Sequence, residues 1–367
     1  MGAGKHVEFW TGTSGSHTSD PFVLAKAAQR LEADGWDGAT VIDTHCIAVE
    51  AFTSLALVAQ ATSRLRLATG VSNPTTRHPS VLASAAATIQ AISGGRFVLG
   101  VGRGDSALAY LGASPTPVPE FERRIGMLQA YLRGEFTPLE VAAGALSGAE
   151  AGYEKLAIGA RLPGSWLKWL PEDQAKVPLE IVATGPKVIE IAVRHADYIT
   201  FAVGADPKRL GWALETARAA AEKHGRDPAS IRFGAILNLH THTDIAKSRE
   251  LAQPGVASGA RFSVMHKKVV GPADDHQREI FRKVGEVYDM AHHGVGGAQA
   301  SVMDPEFIDA FALVGPPARC AERIAEIVSL GVERLWLGTA LTRSALGEES
   351  YEMSVREVLP AVRKSFG

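Results

Sequence analysis

The amino-acid sequence predicts a single β/α barrel of eight parallel strands, and three observations predict it. Short apolar runs alternate with segments whose apolar residues recur at helical spacing. Eight such runs occur, the number that closes a barrel. The less ordinary polar residues fall just after strands, where barrels of this kind assemble their sites. An open doubly wound sheet would share the alternation, because a pattern of strands and helices does not record closure.

The first strand is read at Val7–Trp10. A helix follows, with Asp20 as N-cap, Pro21 at the first helical position, and Val23, Leu24, Ala27, Ala28 and Leu31 at helical spacing; it stops near Gly35. Ala39–Ile42 is the second strand and Phe52–Thr62 the next helix. Leu65–Thr69 is the third strand, before a helix at Ser80–Ile92 ended by Gly94-Gly95. Phe97–Val101 is the fourth, with a helix around Phe121–Leu132 that ends at Gly134. Leu179–Ala183, Tyr198–Phe201, Ile231–Leu239 and Arg334–Leu337 supply strands five to eight. Helices at Lys187–His195, Pro207–His224 and Pro317–Leu330 sit between or before them. Two stretches break the rhythm. Residues about 135–178 are rich in Gly, Ala and Pro and carry Trp166 and Trp169, while about 243–312 read as helical without a strand. Loops of this length usually serve function, so both are read as substrate-facing insertions in one domain spanning 1–367.

Hydrophobic residues make up 46% and charged residues 21% of the 367, which suits a chain with a large buried core. The formal net charge of -2, without a polybasic block, gives no electrostatic reason to expect nucleic acid or an anionic membrane as partner. No apolar stretch is long enough to span a bilayer, and the N-terminus lacks a signal-peptide pattern. The expectation is a cytoplasmic protein acting on a small molecule. Its two cysteines, Cys46 and Cys320, are read as reduced thiols, with Cys46 a small apolar filler near the mouth.

Asp43 ends strand two, and Gly70-Val71-Ser72-Asn73-Pro74 follows strand three. Gly102-Arg103-Gly104-Asp105 follows strand four, and Thr184-Gly185-Pro186 follows strand five. Four neighbouring strands thus converge on one side of the mouth. Thr184-Gly185-Pro186 opens a helix whose free N–H groups suit a phosphate; an ordinary strand-to-helix turn is the plain alternative. Gly100, Gly102 and Gly104 lack the spacing of a dinucleotide fingerprint. They make a tight loop that projects Asp105, as a general acid or a hydrogen-bond partner of a cofactor, or else as a cap of the following helix. Arg77 and His78 either meet an anionic ligand or belong to a rigid loop capped by Ser80, with Arg77 on a surface carboxylate.

As a set, several segments resemble the bacterial luciferase-like superfamily. They are Leu67-Ala-Thr-Gly-Val-Ser-Asn-Pro74, Arg77-His-Pro79, Ile92-Ser-Gly-Gly-Arg-Phe-Val-Leu-Gly-Val-Gly102, Gly104-Asp105, Val182-Ala-Thr-Gly-Pro186 and Val314-Gly-Pro-Pro317. The resemblance is closest to the coenzyme F420 (deazaflavin)-dependent branch that includes the methylenetetrahydromethanopterin reductases. It implies a luciferase-like barrel with a non-prolyl cis peptide at Gly70–Val71 backing a tricyclic ring. It further implies ring contacts from Asp43, Ser72, Asn73, Gly102, Arg103 and Gly104, and a phosphate held by Thr184, Gly185 and Pro186. Asp105 matches a catalytic carboxylate position. Sugar-phosphate dehydrogenases of the branch have a His directly after the residue matching Asp43, whereas Thr44 intervenes here before His45. That departure puts a sugar phosphate as substrate in doubt, and leaves Asp105 or His45 to move the proton that accompanies a hydride. Relatives form homodimers, which is the expectation here too.

The same barrel carries FMN-dependent monooxygenases, the first alternative. FMN has a nitrogen at position five of the ring and reacts with oxygen, while a deazaflavin has carbon there and carries hydride. A metal-dependent hydrolase is the reading outside redox chemistry, resting on His240-Thr241-His242 with Asp244 nearby. Residues two apart in extended chain face one way, but no further histidine-rich ligand set accompanies them, and no metal is expected. His292-His293-Gly294 is either a pocket wall or a helix end complementing the dipole. A non-catalytic barrel subunit is the third class, and the retained Gly70-Val71, Asp105 and Thr184-Gly185 argue against it.

Overall fold

The computed structural model describes residues 7–13, 19–146, 159–160, 162–293, 297–339 and 344–366. Its strands are β1 (Glu8–Gly12), β2 (Gly38–Val41), β3 (Arg66–Thr69), β4 (Phe97–Val101), β5 (Leu179–Ala183), β6 (Tyr198–Phe201), β7 (Arg232–Thr241), β8 (Leu313–Gly315) and β9 (Arg334–Gly338). Eight of them run parallel in the order β1-β2-β3-β4-β5-β6-β7-β9 and close back onto β1, so the sheet is a barrel and not an open doubly wound sheet. β8 is an addition to the expected set. It pairs only with the far end of β7, Leu239 to Thr241, beyond the barrel rim. Three residues, Leu-Val-Gly, are too short to show a period, which is why the sequence pattern misses it.

The helices are α1 (Phe22–Ala33), α2 (Ala51–Ala61), α3 (Pro79–Ile92), α4 (Asp105–Ala109), α5 (Val118–Leu132), α6 (Leu139–Ala143), α7 (Pro186–His195) and α8 (Pro207–Lys223). Then come α9 (Ile245–Val264), α10 (Asp275–Val287), α11 (Ala298–Ser301), α12 (Pro305–Phe311), α13 (Pro317–Ser329), α14 (Ala345–Met353) and α15 (Leu359–Phe366). Among the described residues no helix is long and apolar enough to cross a membrane.

Local signals place most of these ends. The Asp20 carboxylate accepts the Phe22 N–H at 2.9 Å, so α1 starts one residue later than its Pro21 suggests. α3 is capped by His78, whose Nδ1 accepts the Ser80 N–H at 3.2 Å; Ser80 is not the cap, because it already lies inside the helix. Gly94 and Gly95 then stop α3 at φ of 63° and 88°, a region that favours glycine.

The barrel interior is layered by the two-residue period of its strands. Trp10, Ala68, Val98 and Trp336 fill the middle layer, and Gly38 makes room for Trp10, since a Cβ there would lie 2.3 Å from the indole. Below them, at the N-terminal ends of the strands, sits a cluster of charges. Arg334 is fully buried 3.5 Å over the Trp10 ring and 3.1 Å from the equally buried Glu180. Burial pushes Glu180 up and Arg334 down even though they face each other. Burial also works to raise Glu8, but Arg66, Arg232 and Arg334 together hold its carboxyl below the usual range. Charges at this closed end of a barrel serve stability, not chemistry.

A second apolar core lies outside the barrel. α9, α10 and α12 gather Phe281, Phe307 and Phe311 with Val256 and Ala260, the Phe281 ring edge-on to the stacked pair Phe307 and Phe311. Arg209 of α8 ties this core to the barrel. Its guanidinium, wholly buried, donates to the carbonyls of Val203, Val270 and Pro272 and to Ser263 Oγ, while covering Phe281 and Phe311. Burial pushes its pKa down to about 10, against the opposing charge of Asp206.

Candidate active site

The open end of the barrel has a floor made of glycine. One step above the tryptophan layer, the strands offer Gly12, Gly70, Gly100 and Gly338. The strand-end residues Gly12 and Gly338 are exposed while the rest of β1 and β9 is buried. A Cβ at Gly100 would lie 2.2 Å from the Thr69 carbonyl oxygen, and one at Gly70 would lie 2.7 Å from Thr40 Cβ. The floor therefore excludes side chains and presents backbone, which is the surface a flat ligand needs. Among the described residues, Asn73 Nδ2 after β3 and Trp336 Nε1 in the layer beneath are buried donors without a hydrogen-bond partner.

The bulge after β3 is stitched in place from two sides. The Gly70–Val71 peptide is cis, as the resemblance implies. Ser72 pairs with Val101, donating its N–H to Gly100 O and accepting from Gly102 N–H, both at 2.9 Å. The buried Asp43 accepts the Ser72 hydroxyl at 2.6 Å and the Arg77 guanidinium at 2.8 and 3.0 Å. Arg77 continues to the exposed Glu50 and covers the Phe52 ring. Arg77 is thus committed inside the protein, to a buried carboxylate as well as a surface one, and His78 is committed to Ser80 and the Ala142 carbonyl. Asn73 Oδ1 accepts the N–H groups of Thr75 and Thr76, fixing the loop beyond.

The strand-four loop turns at Gly104, whose φ of 82° sets Asp105 as the first residue of α4. Asp105 does not cap this helix by its side chain. Its carboxylate is gripped by both arms of Arg261 from α9, with Nη2–Oδ1 at 2.9 Å. The ring of Tyr288 lies against the same guanidinium, 4.8 Å from its centroid. Tyr288 Oη contacts His293 Nδ1 at 2.7 Å, and His293 Nε2 contacts Ser106 Oγ at 3.1 Å. Tyr110 adds a hydroxyl bond to Met290 O at 2.8 Å. The second insertion is thereby clasped to the strand-four loop, and His293 is part of the pocket wall; Gly294 lies outside the described residues. Burial raises the Tyr288 hydroxyl pKa, so this residue is a neutral donor at physiological pH. Sequence reasoning misses Arg261 and Tyr288. A projecting carboxylate calls for a cation, but no spacing selects one from 38 Lys and Arg.

After β5, Gly185 opens α7 with Pro186 at its first position and no side-chain cap, leaving helix-end N–H character toward the mouth. The Thr184 hydroxyl donates to Ala202 O at 3.2 Å, tying the loop to the end of β6. Val270, held by Arg209, walls this corner, with its methyl 3.6 Å from where a Gly185 Cβ would stand. Asp43, Gly70 to Asn73, Gly102 to Asp105 and Thr184 to Pro186 thus lie at one end of the barrel, directly after β2 to β5. Arg103 differs from its companions: it donates to the carbonyls of Thr116 and Pro115, and so shapes its own loop. His45 and Cys46 are exposed on the loop after β2, so Cys46 fills no apolar space. His242 accepts the Asp244 N–H at 2.8 Å, and among the described residues no group of three or more metal-ligating side chains gathers around it or His240. Trp166 packs on Phe136 in the first insertion, and Trp169 is half-exposed.

Comparison with known proteins supplies the family. The chain is 27% identical to the 5,10-methylenetetrahydromethanopterin reductase of Methanolobus tindarius over 329 residues, 88% of this chain and 92% of that one. The solved coenzyme F420-dependent tetrahydromethanopterin reductase from Methanopyrus kandleri shares the fold with a TM-score of 0.74 and 22% identity, covering 99% of this chain and 100% of its own. The FMN complex of the oxygenating constituent of 3,6-diketocamphane monooxygenase from Pseudomonas putida shares it with a TM-score of 0.63 and 17% identity, covering 97% and 98%. The model of the family described as luciferase-like monooxygenase matches residues 9–334, from the first barrel strand to the start of the last. A closed parallel barrel with a bulge after its third strand and a match along nearly all its strands make this chain a member of the luciferase-like monooxygenase family.

Proposed function

We propose that the chain is a coenzyme F420 (deazaflavin)-dependent oxidoreductase that transfers a hydride between the cofactor and a small organic substrate at the barrel mouth. The observation that carries the reading is the nearly end-to-end match with a methylenetetrahydromethanopterin reductase. The residues present fit such a cofactor. The glycines keep side chains off the strand ends, and Asn73 Nδ2 and Trp336 Nε1 are buried donors in need of an acceptor. Gly70, Val71, Ser72 and Asn73 would back the ring, with Asp43 fixing the bulge and Gly102 and Gly104 allowing close approach. Arg103 would act through the loop it shapes. Thr184, Gly185 and Pro186 would hold the phosphate at the start of α7.

When bound, the deazaflavin supplies a ring carbon that accepts or releases hydride. Asp105 holds or takes the accompanying proton, and His45, at the exposed rim, is the second group able to do so. The two insertions belong to the same domain as the barrel and shape the substrate pocket. A cytoplasmic homodimer completes the reading. Its support is the run of exposed apolar side chains at Val81, Phe136, Val141 and Leu146, on or beside α3 and α6.

The test is direct. The purified protein is offered F420 and FMN separately, and absorption and dissociation constant are recorded. F420 should bind at least about tenfold tighter than FMN, a difference of about 1.4 kcal/mol. Tight FMN binding with no deazaflavin binding would replace this reading with the FMN-dependent monooxygenase. Asp105→Ala should then lose turnover far more than cofactor affinity. Gly185→Leu should weaken F420 more than its phosphate-free ring fragment.

A further inference from the structure

We propose that Arg261 is the oxyanion anchor of the substrate pocket, and that Asp105 occupies it until a substrate carboxylate or phosphate takes its place. This rests on the preceding assignment of Asp105 to proton transfer, and it names a substrate class: small molecules that carry an oxyanion.

The geometry gives the reasons. A guanidinium offers a planar fork of N–H donors that fits a carboxylate or a phosphate alike. Here both arms are spent on Asp105, and the pair keeps 18% and 13% side-chain exposure, so it borders the mouth. A carboxylate with both oxygens in that fork is a poor proton carrier, because proton uptake must displace a charged donor. Release of Asp105 therefore has to precede its use, and a competing oxyanion releases it without leaving a bare cation. The neighbouring arginines are not available for the task. Arg77 is held by Asp43 and Glu50, and Arg103 by two carbonyls. Tyr288 supports the cation from its ring face, and Ser106, Tyr288 and His293 line up hydroxyl and imidazole groups beside it. Asp105 itself is the first residue of a five-residue helix that follows Gly104, so only its own side-chain torsions need change to leave the fork.

An internal occupant taxes the affinity of an external one by the fraction of time the anchor is free. The experiment uses that tax. Inorganic phosphate and acetate are titrated calorimetrically into the F420-loaded protein, its Asp105→Asn variant and its Arg261→Gln variant. Asp105→Asn removes the charged competitor and should tighten binding of both ions at least about tenfold. Arg261→Gln should abolish saturable binding, and Arg261→Lys should keep a weaker version that has lost the fork. An ion pair that only straps the insertion to the barrel predicts that Asp105→Asn and Arg261→Gln shift binding in the same direction or not at all, and that result overturns the proposal. Circular dichroism of each variant shows that it is folded. The opposite signs are also read in the cofactor-free chain. Failure of F420 to bind would therefore sink the functional reading above, while the anchor stands or falls on its own titration.

Discussion

Replacing Arg77 with Gln should destabilise the protein by about 4 kcal/mol, as its contacts add up. Asp43 is 3% exposed and takes two bonds from one Arg77 nitrogen, at 2.8 and 3.0 Å. Removing one member of a buried ion pair costs roughly 3–5 kcal/mol, since the other charge is left without its partner. The Ser72 hydroxyl at 2.6 Å stays on Asp43 and offsets about 1 kcal/mol of that. The contact with exposed Glu50 and the stacking on Phe52 each add only about 0.5 kcal/mol. Asp43→Asn should cost about 1–2 kcal/mol, because Arg77 keeps Glu50 and some water. The double variant should fall short of the sum by about 2 kcal/mol, the coupling of residues that share one interaction. Guanidinium unfolding followed by circular dichroism, on all four proteins under one buffer, gives the cycle. The reasoning is refuted if Arg77→Gln lies within about 0.5 kcal/mol of wild type, or if the two substitutions add.

Gly100→Ala should destabilise by at least about 3 kcal/mol or prevent soluble expression, since its Cβ would meet the Thr69 carbonyl at 2.2 Å; Gly12→Ala, with Thr40 Oγ1 at 3.8 Å, should stay within about 1 kcal/mol. Thermal midpoints of the pair separate the two cases. The Asp304 carboxylate raises the pKa of His276. That pair therefore contributes stability below the unfolded histidine value of about 6.5 and loses it as pH rises through the raised folded value. His276→Gln should be less stable than wild type at pH 5.5 and equal to it at pH 9, by no more than about 0.5 kcal/mol because both groups are over one third exposed. Denaturation curves at the two pH values decide it, and a loss at pH 9 would contradict the sign. Burial pushes the Cys320 thiol up to about 11, while Cys46 is exposed. Iodoacetamide at pH 8 should thus label Cys46 alone in the native protein and both thiols in guanidinium, as read by peptide mass spectrometry.

The barrel strands are legible in the sequence because parallel strands covered on both faces are mostly apolar. Phe97–Val101 is buried along its length and Leu179–Ala183 nearly so, with Glu180 the one charge among them, and their reading ends at the observed residues. The candidate site residues are legible for a related reason. Polar groups and glycines immediately after a buried strand have few structural uses, and Asp43, Gly70 and Asp105 all stand there. What is not legible is whatever depends on two distant segments meeting. Asp105 and Arg261 are 156 positions apart, and Arg261 lies on a helix whose inward face is set by α10 and α12, not by any local motif. The three-residue β8 and the His293–Tyr288 contact are invisible for the same reason. Arg103 shows the converse: its position in a conspicuous loop suggests a ligand contact, while its guanidinium serves the loop itself.

The second apolar core, joined to the barrel through Arg209, divides the labour of folding. Phe281, Phe307 and Phe311 pack among themselves, so the substrate side of the mouth stands on foundations that the strands do not share. Changes there, in helix tilt or side-chain volume, can reshape the rim around Arg261 while the glycine floor keeps its form. On the proposed reading, the insertion can change what it recognises while the strand ends keep a fixed seat for the ring. A chain built this way can change its diet without relearning how to fold.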